Sequence, residues 1–218
     1  MSIAIEQMYR IGIESIPLVS VIALFAGAIT VVQAVYQFSG IIPMKFLGVA
    51  VSKGILLELG PVFTALVFSG RIATAIAAEI GSMKSSEQLD AMTILGLDHI
   101  RYLIVPKTLA CALMLPILVI WAELLMFMGS IATVILTVEN ITLFTYLSGL
   151  KLLFNPFDML LGIGKTAVFG VIISIIGAHF GYQARGGAEG VGEATTKAVM
   201  TSLVLILIFD FFIAFLVL

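Results

Sequence analysis

Residues 58–106 read ELGPVFTALVFSGRIATAIAAEIGSMKSSEQLDAMTILGLDHIRYLIVP. An apolar, membrane-grade segment leads into a short charged stretch, and the chain then turns apolar again. Ser85 and Gln88 fit an S-x-x-Q capping box. Glu87 and Asp90 fall where carboxylates favour the positive end of a helix dipole. Leu89, Met92 and Leu95 recur at three-residue spacing, and Gly96 supplies a stop. The spacing predicts a helix over about 85–96. So short a helix is marginal alone in water and needs a surface to pack on. The alternative is a solvated connector. The docking reading is preferred, with Ser85, Glu87, Gln88, Leu89, Asp90 and Met92 as its contact residues.

The rest of the chain says which solvent surrounds that helix. The 218 residues are 61% hydrophobic and 11% charged, with a mean hydropathy of +1.21. Soluble domains carry about 25% charge. The chain is therefore expected to be an all-α polytopic membrane protein. Runs of roughly 20 apolar residues predict five spans at about 17–36, 46–70, 108–136, 160–182 and 198–218, in a single transmembrane domain. A second frame for span two, 61–80, would centre Arg71 in the membrane; the first lets Arg71 reach the edge. The net charge of −2 argues against a nucleic-acid partner. A single cysteine, Cys111, excludes a disulfide framework and a Cys-based metal site. No cleaved signal peptide is expected.

Arg10, Arg71, Lys84, Arg101, Lys107, Arg185 and Lys197 fall on one side of these spans, and Lys45, Lys53 and Lys151 on the other. The positive-inside rule then predicts a cytoplasmic N-terminus, an outside C-terminus, and a cytoplasmic location for the charged helix. The Gly-rich stretch 183–196, read as a loop, falls on the same side. Residues 138–158 are partly apolar and are expected to lie along the interface.

Several motifs fail on inspection. Gly164-Lys165-Thr166 resembles the end of a phosphate-binding loop, but Met159 stands where its first glycine belongs. His99 and His179 lie on separate segments with no HExxH pattern. No nucleophile–base or metal constellation appears, so no enzymatic activity is expected in this chain. Gly170, Gly177 and Gly181 form a small-residue face on span four, read as tight helix packing.

Charges at membrane depth are costly and should face protein or a wet cavity. Glu58, Glu123, Lys165 and Asp210 are such groups. Asp210 needs a cation, and Lys165 or Arg71 are available, so these three read as structural. Glu58 reads as functional, because Gly60-Pro61 follows and breaks regular helix bonding. Such breaks are tolerated where they line a cavity or are buried in protein.

The block ELGP…GR…AAEIG-x-M-x-x-x-EQ-x-DA…G-x-D-x-x-R-x-L-x-x-P, followed by GYQARGGAEGVGEATTKAV…FD, resembles the MlaE-type permeases of ABC lipid transporters, which work with MCE proteins. The similarity covers most of the chain from about Tyr9. It implies a homodimer of five-span protomers in the bacterial cytoplasmic (inner) membrane, with a periplasmic C-terminus. It implies an ABC ATPase partner that binds ATP and Mg, an MCE-domain protein on the outer side, and phospholipid as cargo. The segment around Glu87, Gln88 and Asp90 then resembles a coupling helix. The lipid cavity would include Phe38, Ile41 and Glu58. In some relatives a basic residue precedes the equivalent of Glu58; here it is Leu57. The segment before Pro17 is shorter than the interfacial helix of many relatives, with Ile3, Met8 and Ile11 on a weakly helical spacing.

The leading expectation is thus a permease subunit of an ATP-driven phospholipid transporter. A proton-coupled secondary transporter using Glu58 or Asp210 is the alternative, and five spans without an inverted repeat argue against it. A third reading is a structural anchor for an ATPase/MCE complex.

Overall fold

Inside lipid the backbone must satisfy its own hydrogen bonds, and a continuous apolar run does so as helix. The computed structural model describes residues 2–38, 43–138 and 141–217; Ile41 lies outside them. Among the described residues there is no strand. The helices are α1 (Ser2–Ile11), α2 (Ile16–Phe38), α3 (Leu47–Gly54), α4 (Gly60–Ser85), α5 (Gln88–Ile94), α6 (Val105–Thr137), α7 (Leu143–Leu152), α8 (Pro156–Gln183) and α9 (Gly187–Val217). Five helical runs are long and apolar enough to cross a membrane: Ala4–Phe38, Met44–Ser85, Ile100–Thr137, Pro156–Gln183 and Gly187–Val217. The protein is all-α and polytopic. Both frames weighed for span two fall inside the second run, and helix continues through Arg71 to Ser85.

Two local expectations are corrected. Ser85 does not cap the charged helix, because it is still the last residue of α4. The Ser86 hydroxyl donates back to the Ser82 carbonyl. The N-cap of α5 is Glu87, in the left-handed region at φ 58°, with no side-chain cap bond. The Gly-rich stretch 183–196 is not a loop. Gly186 and Gly187, at φ 89° and 72°, turn the chain in three residues. Helix α9 then starts at Gly187.

Wide turns precede two of the long helices. Residues Ile55–Leu59 and Ile100–Ile104 are π-helical. At the end of each, the next N–H reaches five residues back, Gly60 to Ile55 and Val105 to Ile100. The residue after each is a proline, Pro61 and Pro106. Proline has no N–H to offer the carbonyls one turn behind it, so each wide turn sits where the regular ladder would fail anyway.

The contacts divide the chain into two compact units, Met1–Ser15 with Ala65–Pro116 and Lys165–Leu218, and Ile16–Thr64 with Ile117–Gly164. In the second, Val19, Ala23, Gly27 and Val31 make one buried face of α2. A Cβ on Gly27 would fall 1.9 Å from the Met126 carbonyl oxygen, and one on Gly129 would fall 2.0 Å from that of Leu24. Helices α2 and α6 therefore touch backbone to backbone, the small-residue packing that membrane helices favour. Helix α7 packs on α3, where the Tyr146 hydroxyl donates to Ser130 Oγ at 2.9 Å. Burial pushes the Tyr146 phenol up to about 12. Lys53 and Asp158 form an ion pair.

In the first unit the glycine face of α8 meets α6 and α4. Gly170 faces the Cys111 carbonyl, while Gly177 and Gly181 face Ala73, Ile76, Ala77 and Ile80. Lys165 Nζ lies 2.6 Å from Asp210 Oδ1, joining α8 to α9.

Candidate functional site

Glu58 sits in the first wide turn, half-buried. Two neighbours crowd this turn. A Cβ on Gly60 would meet the Glu123 Cγ at 2.7 Å and the Ile55 carbonyl at 2.8 Å. A Cβ on Gly162 of α8 would lie 2.2 Å from the Leu56 carbonyl. Glycine at both positions lets α6 and α8 close on an irregular piece of backbone. Such backbone is tolerated at membrane depth when protein covers it. Glu123 beside it is 3% exposed.

One helical step beyond Glu58 the surface becomes a groove. It has a volume of about 370 Å³, inside the roughly 300–1,000 Å³ range of small-molecule sites. Val21, Phe25 and Ile29 of α2 form one wall at four-residue spacing, and Leu59 and Phe63 form the other. Thr30 and Gln33 are the polar groups at one end. Phe38 is half-buried at the end of α2, and neither Phe38 nor Glu58 lines this groove. The apolar periodicity of α2 held the signal: residues 19, 23, 27 and 31 face protein, and 21, 25 and 29 face away.

The second candidate surface is α5. Glu87, Gln88 and Asp90 are exposed, whereas Leu89 is buried and Met92 half-buried. The sequence stripe is therefore split. Leu89 and Met92 hold the helix to its own chain, and Leu95 is 75% exposed. The helix ends at Ile94, two residues short of the expected limit, and Gly96 is the stop the sequence implied. The Gly96 N–H donates to Thr93 and the Leu97 N–H to Met92, with Gly96 at φ 72°. That is a Schellman turn, and it throws Ile94 and Leu95 outward. Ile94, 86% exposed, joins the surface although sequence spacing did not single it out. Asp98 opens the next helical run by accepting from the Ile100 and Arg101 N–H groups.

Of the structural charges, Lys165 pairs with Asp210, and Arg71 pairs instead with Glu14 at 2.8 Å and donates to Ser15. No group of three or more potential metal ligands occurs among the described residues.

Residues 4–216 match the family model described as Permease MlaE. The chain belongs to the MlaE permease family. It is 40% identical over 216 residues to a probable ABC transporter permease protein of Synechocystis sp., spanning 97% of this chain and 80% of that relative. It is 37% identical over 214 residues to a probable ABC transporter permease protein of Rickettsia prowazekii, spanning 98% and 82%. It is 36% identical over 207 residues to the protein trigalactosyldiacylglycerol 1, chloroplastic, of Arabidopsis thaliana, covering 95% of this chain and 59% of that longer protein. As an MlaE permease the chain is a multi-pass membrane protein of ABC-permease type.

Proposed function

We propose that this permease is the membrane subunit of an ATP-driven transporter that moves phospholipid between the cytoplasmic and outer membranes. The observation that carries the reading is the apolar groove of α2, Leu59 and Phe63, open to an acyl chain and polar only at the Thr30 and Gln33 end. The name of the Arabidopsis relative is that of a galactolipid, which supports a diacylglycerol-based lipid as cargo. In this reading the chain works as a homodimer in the inner membrane, with its N-terminus cytoplasmic and its C-terminus periplasmic. A separate ABC ATPase binds ATP and Mg and seats on the exposed Glu87, Gln88, Asp90 and Ile94. An MCE protein receives or delivers lipid on the outer side.

The chain itself does no covalent chemistry. Its acyl-binding walls exclude water, and burial of apolar lipid surface is worth about 25 cal/mol per Å². Nucleotide-driven motion of α5 would change the groove and release the chains. Glu58, one step from Leu59, is the acidic group nearest the groove in the sequence.

The test is to purify the tagged chain in mild detergent from its host and identify what accompanies it by mass spectrometry. An ABC ATPase, an MCE protein and phospholipid together support the reading. A clean oligomer with no ATPase would overturn the role of α5. In a reconstituted system Glu58→Ala, folded and assembled, should lower lipid transfer. Unchanged transfer removes Glu58 from the mechanism.

A further inference from the structure

A second cavity, of about 360 Å³, lies between α1 and α4 and is unlike the groove in chemistry. Its polar walls are Gln7, Arg10, Glu14, Arg71, Glu79 and Lys107. Three cations face two carboxylates, which leaves one positive charge over. Lys107 is 2% exposed. Its ammonium donates to Glu79 Oε1 at 2.8 Å and to Gln7 Oε1 at 3.3 Å. Arg71 is committed to Glu14 and Ser15. Both carboxylates are therefore already neutralised. An ammonium has three donors and a guanidinium five, so Lys107 and Arg71 retain N–H groups beyond these bonds. Arg10 has no ion pair among the described residues, and its whole guanidinium is available at the rim.

We propose that this cavity binds a phosphate group carrying a single negative charge, held by Arg10 at the rim and Arg71 and Lys107 within. Guanidinium groups recognise phosphate oxygens through paired, charge-assisted hydrogen bonds. One phosphodiester anion also cancels the residual charge of a partly buried site. Helix α1 favours a lipid head-group as the source. Its Ile5 and Tyr9 are exposed, and each is two residues from Gln7, about 200° around the helix. The helix thus turns an apolar side outward and a polar side to the cavity, the pattern of a helix lying at a membrane surface. None of the cavity residues lines the apolar groove, so the proposal stands apart from transport.

The full chain in detergent is titrated with phosphatidylglycerol, with diacylglycerol and with inorganic phosphate, and bound species are counted by native mass spectrometry. Arg10→Gln is the informative variant, because Arg10 is exposed and makes no ion pair among the described residues. The expected result is that Arg10→Gln weakens one phosphatidylglycerol site by about tenfold to a hundredfold, the loss of a charge-assisted bond. Arg10→Lys should restore part of it, and diacylglycerol binding should not change. If inorganic phosphate binds with the same dependence on Arg10 and the acyl chains add nothing, the site stands and its ligand is free phosphate. If wild type and Arg10→Gln bind both probes equally, the proposal is overturned.

Discussion

Replacing Gly27 with alanine puts a methyl group into the backbone of α6. The new Cβ would sit 1.9 Å from the Met126 carbonyl oxygen, whereas ordinary contact begins at 3.4 Å. The two helices must separate by about 1.5 Å, since the obstacle is main chain and has no rotamer to adopt. Overpacking of this kind costs typically 1–3 kcal/mol, and an unyielding neighbour puts it near 3. Alanine returns about 1 kcal/mol through its better helix propensity, so the net loss is about 2 kcal/mol. Gly164→Ala is the control, because its Cβ would meet nothing within 4 Å, and it should gain up to about 1 kcal/mol. Gly129→Ala should behave like Gly27→Ala, its Cβ falling 2.0 Å from the Leu24 carbonyl. The double variant should cost less than the sum, because helices already pushed apart accept the second methyl. The readout is the fluorescence of Trp121, the chain's single tryptophan, during unfolding in mixed micelles. Its indole N–H donates to Ser20 Oγ at 2.9 Å and so reports on the α2–α6 pair itself. If Gly27→Ala proves as stable as Gly164→Ala, the two helices are not in backbone contact and the reasoning fails.

Three further outcomes are expected. Lys165→Met strands the Asp210 carboxylate and should cost about 3–5 kcal/mol in the same unfolding assay, with Lys165→Met/Asp210→Leu recovering much of the loss. Glu87→Gly relieves a left-handed backbone strain of about 1–2 kcal/mol while adding chain entropy of about 0.5–1, so α5 should resist proteolysis slightly better; faster cleavage would refute the strain. Tyr146→Phe removes a buried hydrogen bond to Ser130 and should cost about 1–2 kcal/mol, measured as a lower unfolding midpoint with the helical signal of the native state unchanged.

Composition and apolar run length made the five-helix architecture legible, because lipid leaves the backbone few options. The ELGP block was legible as an irregularity through Pro61, but the same event at Pro106 was not. There the apolar flank YLIVP carries no glycine to draw attention. The capping box at Ser85 misled because local preference is weak beside a helix already in progress: α4 simply ran through it. The Gly-rich stretch after Gln183 looked like a loop because glycine disfavours helix by only about 1 kcal/mol each, a cost that packing offsets. Gly81 lies against Val191, for example. The groove escaped notice because its walls are ordinary Val, Phe and Ile, residues that in a membrane protein face lipid, protein or cargo alike. The cation cavity was hidden for a different reason. Arg10, Arg71 and Lys107 are far apart in sequence, and only the positions of α1, α4 and α6 bring them together.

The two prolines at the wide turns also bear on mechanics. A helix normally resists bending because a bend stretches hydrogen bonds along one side. At residues 55–61 and 100–106 proline has already removed one rung of that ladder, so a bend there stretches fewer hydrogen bonds than one elsewhere in the helix. The stretch of chain between them carries α4, α5 and the Schellman turn. Each end of that stretch therefore carries a wide turn followed by a proline.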